Sequence, residues 1–255
     1  MRFSFNFKDS EQTIISKINQ AGINKLYKEF YSPTILNSIE RAVQTFVLAS
    51  IENTETWRSL KGAGDESLFG QFGIPKEQLA GKLAGLLEIW SREIRVVPQN
   101  VRRFPQTFSL SYKFYAIEAT WANVLGSRIG VTINESKNAL EGNAPREIPW
   151  LEWLLVSGND GKVSGYNISF KDYSKSRYSR SGIALMIKAK GVEWNIPSAF
   201  GGATTNNNFV TRALEELVKG NQSFRRGLTD IILRTTKKST GVSFDFDFDI
   251  NLEDI

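Results

Sequence analysis

The chain contains neither cysteine nor histidine. Without a thiolate or an imidazole it has no disulfide framework, no ordinary zinc site, and neither a Ser-His-Asp nor a Cys-His nucleophile system, since each needs one of those groups. Long apolar runs are missing too. Every one falls far short of the roughly 18 residues that a membrane helix needs, and no basic, apolar leader opens the sequence. These absences predict a chain that neither carries a secretory signal nor spans a membrane. Internal repeats, low-complexity tracts and a clear linker are also lacking, and no Gly-rich phosphate-binding motif supports a nucleotide-hydrolysing reading.

What is present is ordinary for a folded chain. Its 255 residues are 41% hydrophobic and 23% charged, with 17 Phe and 6 Trp to make an aromatic core. A chain of this size buries roughly 75% of its unfolded surface and needs no staples. The net charge is +5, but unevenly spread. Residues 245–255 hold Asp245, Asp247, Asp249, Glu253 and Asp254 and no base, so five of the 27 acids sit there and the rest of the chain carries 32 bases against 22 acids. The body is therefore +10 and the tail −5.

Periodicity divides the chain into a helical N-terminal part (about 10–90), a β-rich middle (about 92–200), C-terminal helices (about 208–236) and a strand-like arm (242–255). Phe3, Phe5 and Phe7 alternate with polar residues as in a half-buried strand, and Ile14, Ile15 and Ile18 mark a first helix. Ser32-Pro33 supplies a cap and a first-turn proline for a helix to about Ser50, with Ile35, Ile39, Val43, Phe46 and Val47 as its stripe. Residues 53–73, with Gly62, Gly64, Gly70 and Gly73, read as a long mobile loop. Pro75 opens a helix through Leu79, Leu83, Leu86, Leu87 and Trp90, followed by a short strand, Ile94 to Val97, that Pro98 stops. From Thr107 the period is two, Tyr166, Ile168 and Phe170 repeat it, and Ile183–Ala189 and Val192–Ile196 read as a hairpin or two adjacent strands. Asn208 then caps a helix with Val210, Ala213, Leu214, Leu217 and Val218, and a second follows from Ser223 through Phe224, Leu228, Ile231 and Ile232. The expected architecture is a single α+β domain: a mixed, mostly antiparallel sheet packed against several helices, with extended terminal strand arms.

Several segments carry a resemblance when taken together. They are Leu68-Phe69-Gly70-Gln71-Phe72-Gly73-Ile74, the block Ile148-Pro149-Trp150-Leu151-Glu152-Trp153-Leu154-Leu155, the turn Ser179-Arg180-Ser181-Gly182, the loop Trp194-Asn195-Ile196-Pro197, and Asn207-Asn208-Phe209-Val210-Thr211-Arg212-Ala213-Leu214. The sequence resembles the neck or tail-completion proteins of tailed bacteriophages, in which a Gly-containing turn leads into a strand, an apolar strand, a Pro-containing loop and a helix opening with Phe. The resemblance implies a virion structural protein, assembled in the host cytoplasm. It implies a homo-oligomeric ring, a hexamer, that joins the portal, adaptor or head-closure proteins to the tail terminator and tail tube and lines the DNA passage. No catalysis, cofactor or membrane is implied. A tail terminator or baseplate adaptor subunit is the nearest alternative, since the chain is longer than simple members and carries helical insertions before residue 100.

Candidate residues follow from chemistry and position. Pro149 at a first helical position places Trp150, Trp153 and Leu154 on one face, which either fills the core or anchors a subunit interface. Lys171, Lys175, Arg177 and Arg180 lie among serines and tyrosines in a segment that is either a solvated loop or a non-specific contact with viral DNA in the ring lumen. Val242, Phe244, Phe246, Phe248, Ile250 and Leu252 share one side of an alternating run, aspartates the other. Same-face carboxylates there stand about 6.6 Å apart, too far to close on one calcium, so no metal site is expected. The run reads as a strand that adds to a sheet, and Phe3 and Phe5 of the first strand are candidate partners, with Arg2 and Lys8 complementing the acidic face. Two readings from another class remain: a metal-dependent nuclease using Glu135-Ser136-Lys137 with Glu118, and a non-virion nucleic-acid-binding protein using the basic body.

Overall fold

Ser32 and Pro33 do open a helix. In the computed structural model, α1 runs Pro33–Glu52, and the Ser32 carbonyl accepts the first amides, from Ile35 and Leu36, both at 3.0 Å. Ile35, Ile39, Val43 and Val47 are buried, as their spacing along one helical face requires. The structure describes residues 20–21, 24–25, 28, 31–63, 66–98, 102–103, 108–109, 112–115, 117, 121–134, 146–158, 162–170, 179–220, 224, 226–228, 230–231 and 234. The expected first strand, most of the expected first helix and the C-terminal arm lie outside these residues. The described residues divide between two compact units, one within 1–43, 96–114 and 222–249, the other within 44–95, 115–221 and 250–255.

In the first unit the expected strand near Ile94–Val97 forms as β1, Arg95–Pro98, and pairs with β4, Tyr112–Tyr115. The amide of Val96 donates to Glu40 Oε2 of α1 at 3.2 Å, tying strand to helix. Between them β2, Arg102–Arg103, runs antiparallel to β3, Phe108–Ser109. Phe224 and Leu228 are helical and buried, as their spacing predicted.

The second unit overturns one expectation. Residues 53–73 are not a mobile loop but carry α2, Glu55–Leu60, and α3, Leu68–Gln71. Trp57, Leu60, Leu68, Phe69 and Phe72 are all buried. Thr54 starts α2, its hydroxyl accepting from the Trp57 amide at 3.2 Å and donating to the Ile51 carbonyl at 2.7 Å. Two of the glycines that suggested a loop are helix stops. Gly62 (φ +100°) and Gly73 (φ +61°) each follow a C-cap residue in the left-handed region. The two amides after each cap fold back, Gly62 to Ser59 and Ala63 to Arg58 in α2, Gly73 to Gly70 and Ile74 to Phe69 in α3. After Pro75, α4 spans Lys76–Glu93 with Leu79, Leu83, Leu86 and Trp90 buried.

A short helix α5, Ala122–Leu125, and a 3-10 turn, Arg128–Gly130, lead into β5, Thr132–Asn134, which runs antiparallel to β6, Arg146–Ile148. After Pro149, α6 (Trp150–Glu152) widens into a π-helical turn, Trp153–Ser157. The expected hairpin or pair of adjacent strands over Ile183–Ile196 is also corrected: β8 is one strand, Leu185–Asn195, antiparallel to β7, Lys162–Ser169. Its pairing jumps from Tyr166↔Lys188 to Ser164↔Glu193, so residues 189–192 bulge opposite a single position of β7. Gly191, at φ +78°, makes that bulge, which the sequence presents as a turn. Last comes α7, Phe209–Gly220. Helices and strands thus occur together, as expected; among the described residues the strands pair two by two and no larger sheet forms. No described helix is long and apolar enough to cross a membrane.

Candidate functional site

Two neighbourhoods of the second unit draw chemistry-bearing residues together. The first is aromatic. The ring of Phe72, at the end of α3, lies 6.1 Å from that of Trp150, 6.2 Å from Trp153 and 5.8 Å, edge-on, from Trp194 of β8. Trp153 and Trp194 are 6.0 Å apart. Tilted and edge-to-face pairs at these distances add to the burial itself. One polar thread crosses the cluster: the Trp194 indole donates to Gln71 Oε1 at 3.2 Å, and the Gln71 amide donates to the Glu66 carbonyl at 2.8 Å. Trp150 has no partner for its indole nitrogen.

Two glycines set how closely the chain approaches itself here. A Cβ on Gly158 (φ +42°), which ends the π-helical turn, would lie 2.6 Å from both the nitrogen and the oxygen of the Ala203 backbone. A Cβ on Gly70 would lie 2.7 Å from the Ile183 side chain. Asn208 then locks α7 onto the same turn. Its Oδ1 accepts from the amides of Val210 (3.0 Å) and Thr211 (3.1 Å), while its Nδ2 lies 3.0 Å from the Leu155 carbonyl of the π-helical turn and within 3.2 Å of the carbonyls of Thr204 and Thr205. Thr211 closes the cap reciprocally, its hydroxyl accepting from the Asn208 amide at 2.8 Å. The expected cap is therefore also a tertiary bolt.

The second neighbourhood is a polar cleft of about 470 Å³. Gln78 and Lys82 of α4 form one wall, Ser127 and Arg128 the loop and turn after α5, Thr132 and Glu147 the β5–β6 pair, and Arg180 the approach to β8. Gly85 and Gly130 let these parts meet: a Cβ on Gly85 would fall 2.9 Å from Ile129 Cδ1, and one on Gly130 would fall 2.9 Å from Leu151 Cβ. Lys82 acts as a staple. Its ammonium donates to the carbonyls of Arg128 (3.1 Å), Ile129 (3.3 Å) and Val131 (2.8 Å), which uses all three of its protons. Burial pushes its pKa below the ordinary lysine value. Thr132, only 2% exposed, leaves its hydroxyl without a hydrogen-bond partner.

Placed against these neighbourhoods, the sequence candidates separate. Trp150 (0% exposed) and Leu154 (1%) are enclosed by their own chain, which fits the core-filling one of the two readings. Trp153 is half-buried on the same cluster, and Glu152 points to solvent as expected. Arg180 is half-buried in the cleft wall. Lys171, Lys175 and Arg177, the arm residues Phe3, Phe5, Phe244, Phe246 and Phe248, and Glu118, Glu135 and Lys137 lie outside the described residues. Sequence reasoning missed Lys82, Arg128, Thr132 and Glu147. One signal was available: Lys82 falls three residues after Leu79 and four before Leu86, on the apolar face of its helix, where a charge needs a partner. No protein-family model, no curated protein and no solved structure matches the chain.

Proposed function

We propose that the chain is a structural subunit of the tailed-bacteriophage neck, forming a homo-oligomeric ring that joins portal or head-closure proteins to the tail and surrounds the DNA passage. The observation that supports this reading most is convergence. The segments carrying the resemblance, Leu68–Ile74, Ile148–Leu155, Ser179–Gly182, Trp194–Pro197 and Asn207–Leu214, lie in separate parts of the sequence. Phe72, Trp150, Trp153 and Trp194 nonetheless share one cluster, and Asn208 bolts the last segment to the second through the Leu155 carbonyl. Segments that define a common fold are expected to pack on one another; unrelated short matches are not.

With Trp150 and Leu154 used inside the chain, subunit affinity in this reading falls to the terminal arms. Phe3 and Phe5 on one side, and Phe244, Phe246 and Phe248 on the other, would complete the two-stranded pairs into a mostly antiparallel sheet shared between neighbours. Backbone hydrogen bonds would supply affinity, and the alternating aspartates would keep the arm from pairing indiscriminately. A ring built this way uses one heterologous contact repeated until rotation closes it.

Electron microscopy of the purified protein tests the proposal directly. Rings are expected, together with a stoichiometric copy number of the chain in purified phage particles by mass spectrometry. A chain that stays monomeric at every concentration and is absent from particles overturns it. Removing residues 242–255 is expected to give a folded monomer; intact rings from that truncation would refute exchange of the arm. A tail terminator or baseplate adaptor is separated from a neck ring by where antibody label binds on the particle.

A further inference from the structure

We propose that the first unit carries a sequence-independent contact surface for the phosphate backbone of a nucleic acid. A monomer would bind as a ring does, so nothing in this rests on the ring reading. Charge is divided very unevenly between the two units. The first holds 14 bases against 8 acids and the second 18 against 19, a net of +6 in contrast to −1, so the first unit accounts for the whole positive excess of the chain. Three of its eight acids are Asp245, Asp247 and Asp249 of the arm, and its stretch 96–114 holds Arg102, Arg103 and Lys113 with no acid at all. Lys171, Lys175, Arg177 and Arg180, by contrast, belong to the unit without excess charge.

The described side chains put that excess at the surface. Lys25, Lys28, Arg41, Arg226 and Arg234 are exposed in the first unit, against one exposed carboxylate, Asp230. Lys25 and Lys28, three residues apart in helical backbone, are neighbours on one face. Arg226 and Arg234 share another helical face with Asp230 midway between them, while Phe224 and Leu228 on the opposite side are buried. In the second unit cations sit with carboxylates: Lys61 with Glu52 at 2.8 Å, Lys219 with Glu215 at 2.6 Å, and Arg92 with Glu88. Surface charge of one sign is the footprint of a partner that presents one phosphate after another. Such contacts carry no sequence information, because the phosphates are alike at every step. An anionic membrane offers phosphates too, but a peripheral segment binds there with an apolar face as well. Among the described residues the first unit turns its apolar side chains inward and leaves Val97 as its one exposed large one.

Fluorescence anisotropy of a labelled duplex of mixed sequence, titrated with the full chain across a salt series, tests this. Binding is expected in about 50 mM salt, with the logarithm of affinity falling against the logarithm of salt by about 0.9 for each phosphate contacted. Two charge-matched triple variants locate the surface. Lys25→Gln, Lys28→Gln and Arg234→Gln together should weaken binding at least about tenfold in that salt and flatten the slope by about 2 to 3. Lys76→Gln, Arg128→Gln and Lys190→Gln remove the same charge from the second unit and should change affinity by less than about twofold. All six positions are exposed, so both triples should melt with the wild type. A difference between them therefore reports where the charge sits, not net charge or damage to the fold. Absence of duplex binding in about 50 mM salt overturns the proposal, as do two triples that bind within about twofold of each other. Binding to phosphatidylserine vesicles without duplex binding also overturns it, since the surface would then belong to a membrane. Rings that fail to bind the duplex would sink this surface and leave the ring reading standing.

Discussion

The aromatic cluster around Phe72 and the polar cleft beside Lys82 adjoin one another and are built in opposite ways. Leu151 follows Trp150 of the cluster and packs on Gly130 at the edge of the cleft. The cluster closes on itself, with Trp150 wholly buried and one hydrogen-bonded thread through Gln71. The cleft stays open, ringed by charge, with a staple on one wall and an unpartnered hydroxyl on another. Closed apolar packing contributes stability in proportion to what it excludes from water; a half-satisfied polar cavity gives some of that stability away. Variants on the two sides should therefore differ in size and finally in sign.

The largest loss belongs to the cluster. Trp150→Ala leaves a cavity under Phe72 and should cost about 3–5 kcal/mol, a fall in melting temperature of roughly 10 °C for a chain of this size. Trp150→Phe should cost much less, under about 2 kcal/mol, because it keeps most of the apolar volume and removes an indole nitrogen that has no partner. If the two variants melt together, ring volume is not what Trp150 contributes. Next is Asn208→Ala, expected to cost about 2 kcal/mol in denaturant unfolding, because it removes a helix cap and unpairs the Leu155 carbonyl. Asn208→Asp keeps the acceptor but sets a buried carboxylate oxygen against the carbonyls of Leu155, Thr204 and Thr205, so it should cost at least as much as alanine.

How much of this was legible in the sequence follows from how each part is made. The helices α1, α4 and α7 declare themselves because one helical face of each repeats apolar residues and nothing else is needed to bury it. Asn208 was readable as a cap because capping is local. Residues 53–73 were misread because Gly62 and Gly73 carry the same local signal in a helix stop as in a loop; only the burial of Trp57, Leu60 and Phe72 decides between them. The bulge at Gly191 was mistaken for a turn for the same reason. Beyond the misplaced charge of Lys82, the cleft was illegible because its members come from four separate stretches, and no local spacing encodes their meeting.

Within the cleft the effects are smaller. Lys82→Met keeps the aliphatic stem and loses three hydrogen bonds to carbonyls at a partly exposed site, so about 1 kcal/mol is expected at neutral pH. Its pH dependence has a definite sign. Because burial lowers the folded pKa below the unfolded value of 10.5, the unfolded chain binds more protons between those two values, and the lysine's contribution to stability rises with pH across that window. The stability gap between wild type and Lys82→Met should then shift in favour of wild type as pH climbs toward 10.5 from below. A gap that is flat or moves the other way in parallel melts would show that the ammonium is not desolvated.

Thr132→Val is the smallest effect and the only one expected to reverse sign. The substitution keeps the β-branched shape that β5 favours and replaces a buried hydroxyl that has no partner with a methyl group. Folding removes that hydroxyl from water without returning a hydrogen bond, a cost the valine avoids. The protein should therefore gain between zero and about 1 kcal/mol, read as an unchanged or higher melting temperature. A clear loss would mean that the hydroxyl finds a hydrogen-bond partner within the fold, and the polar wall would then resemble the cluster in being complete.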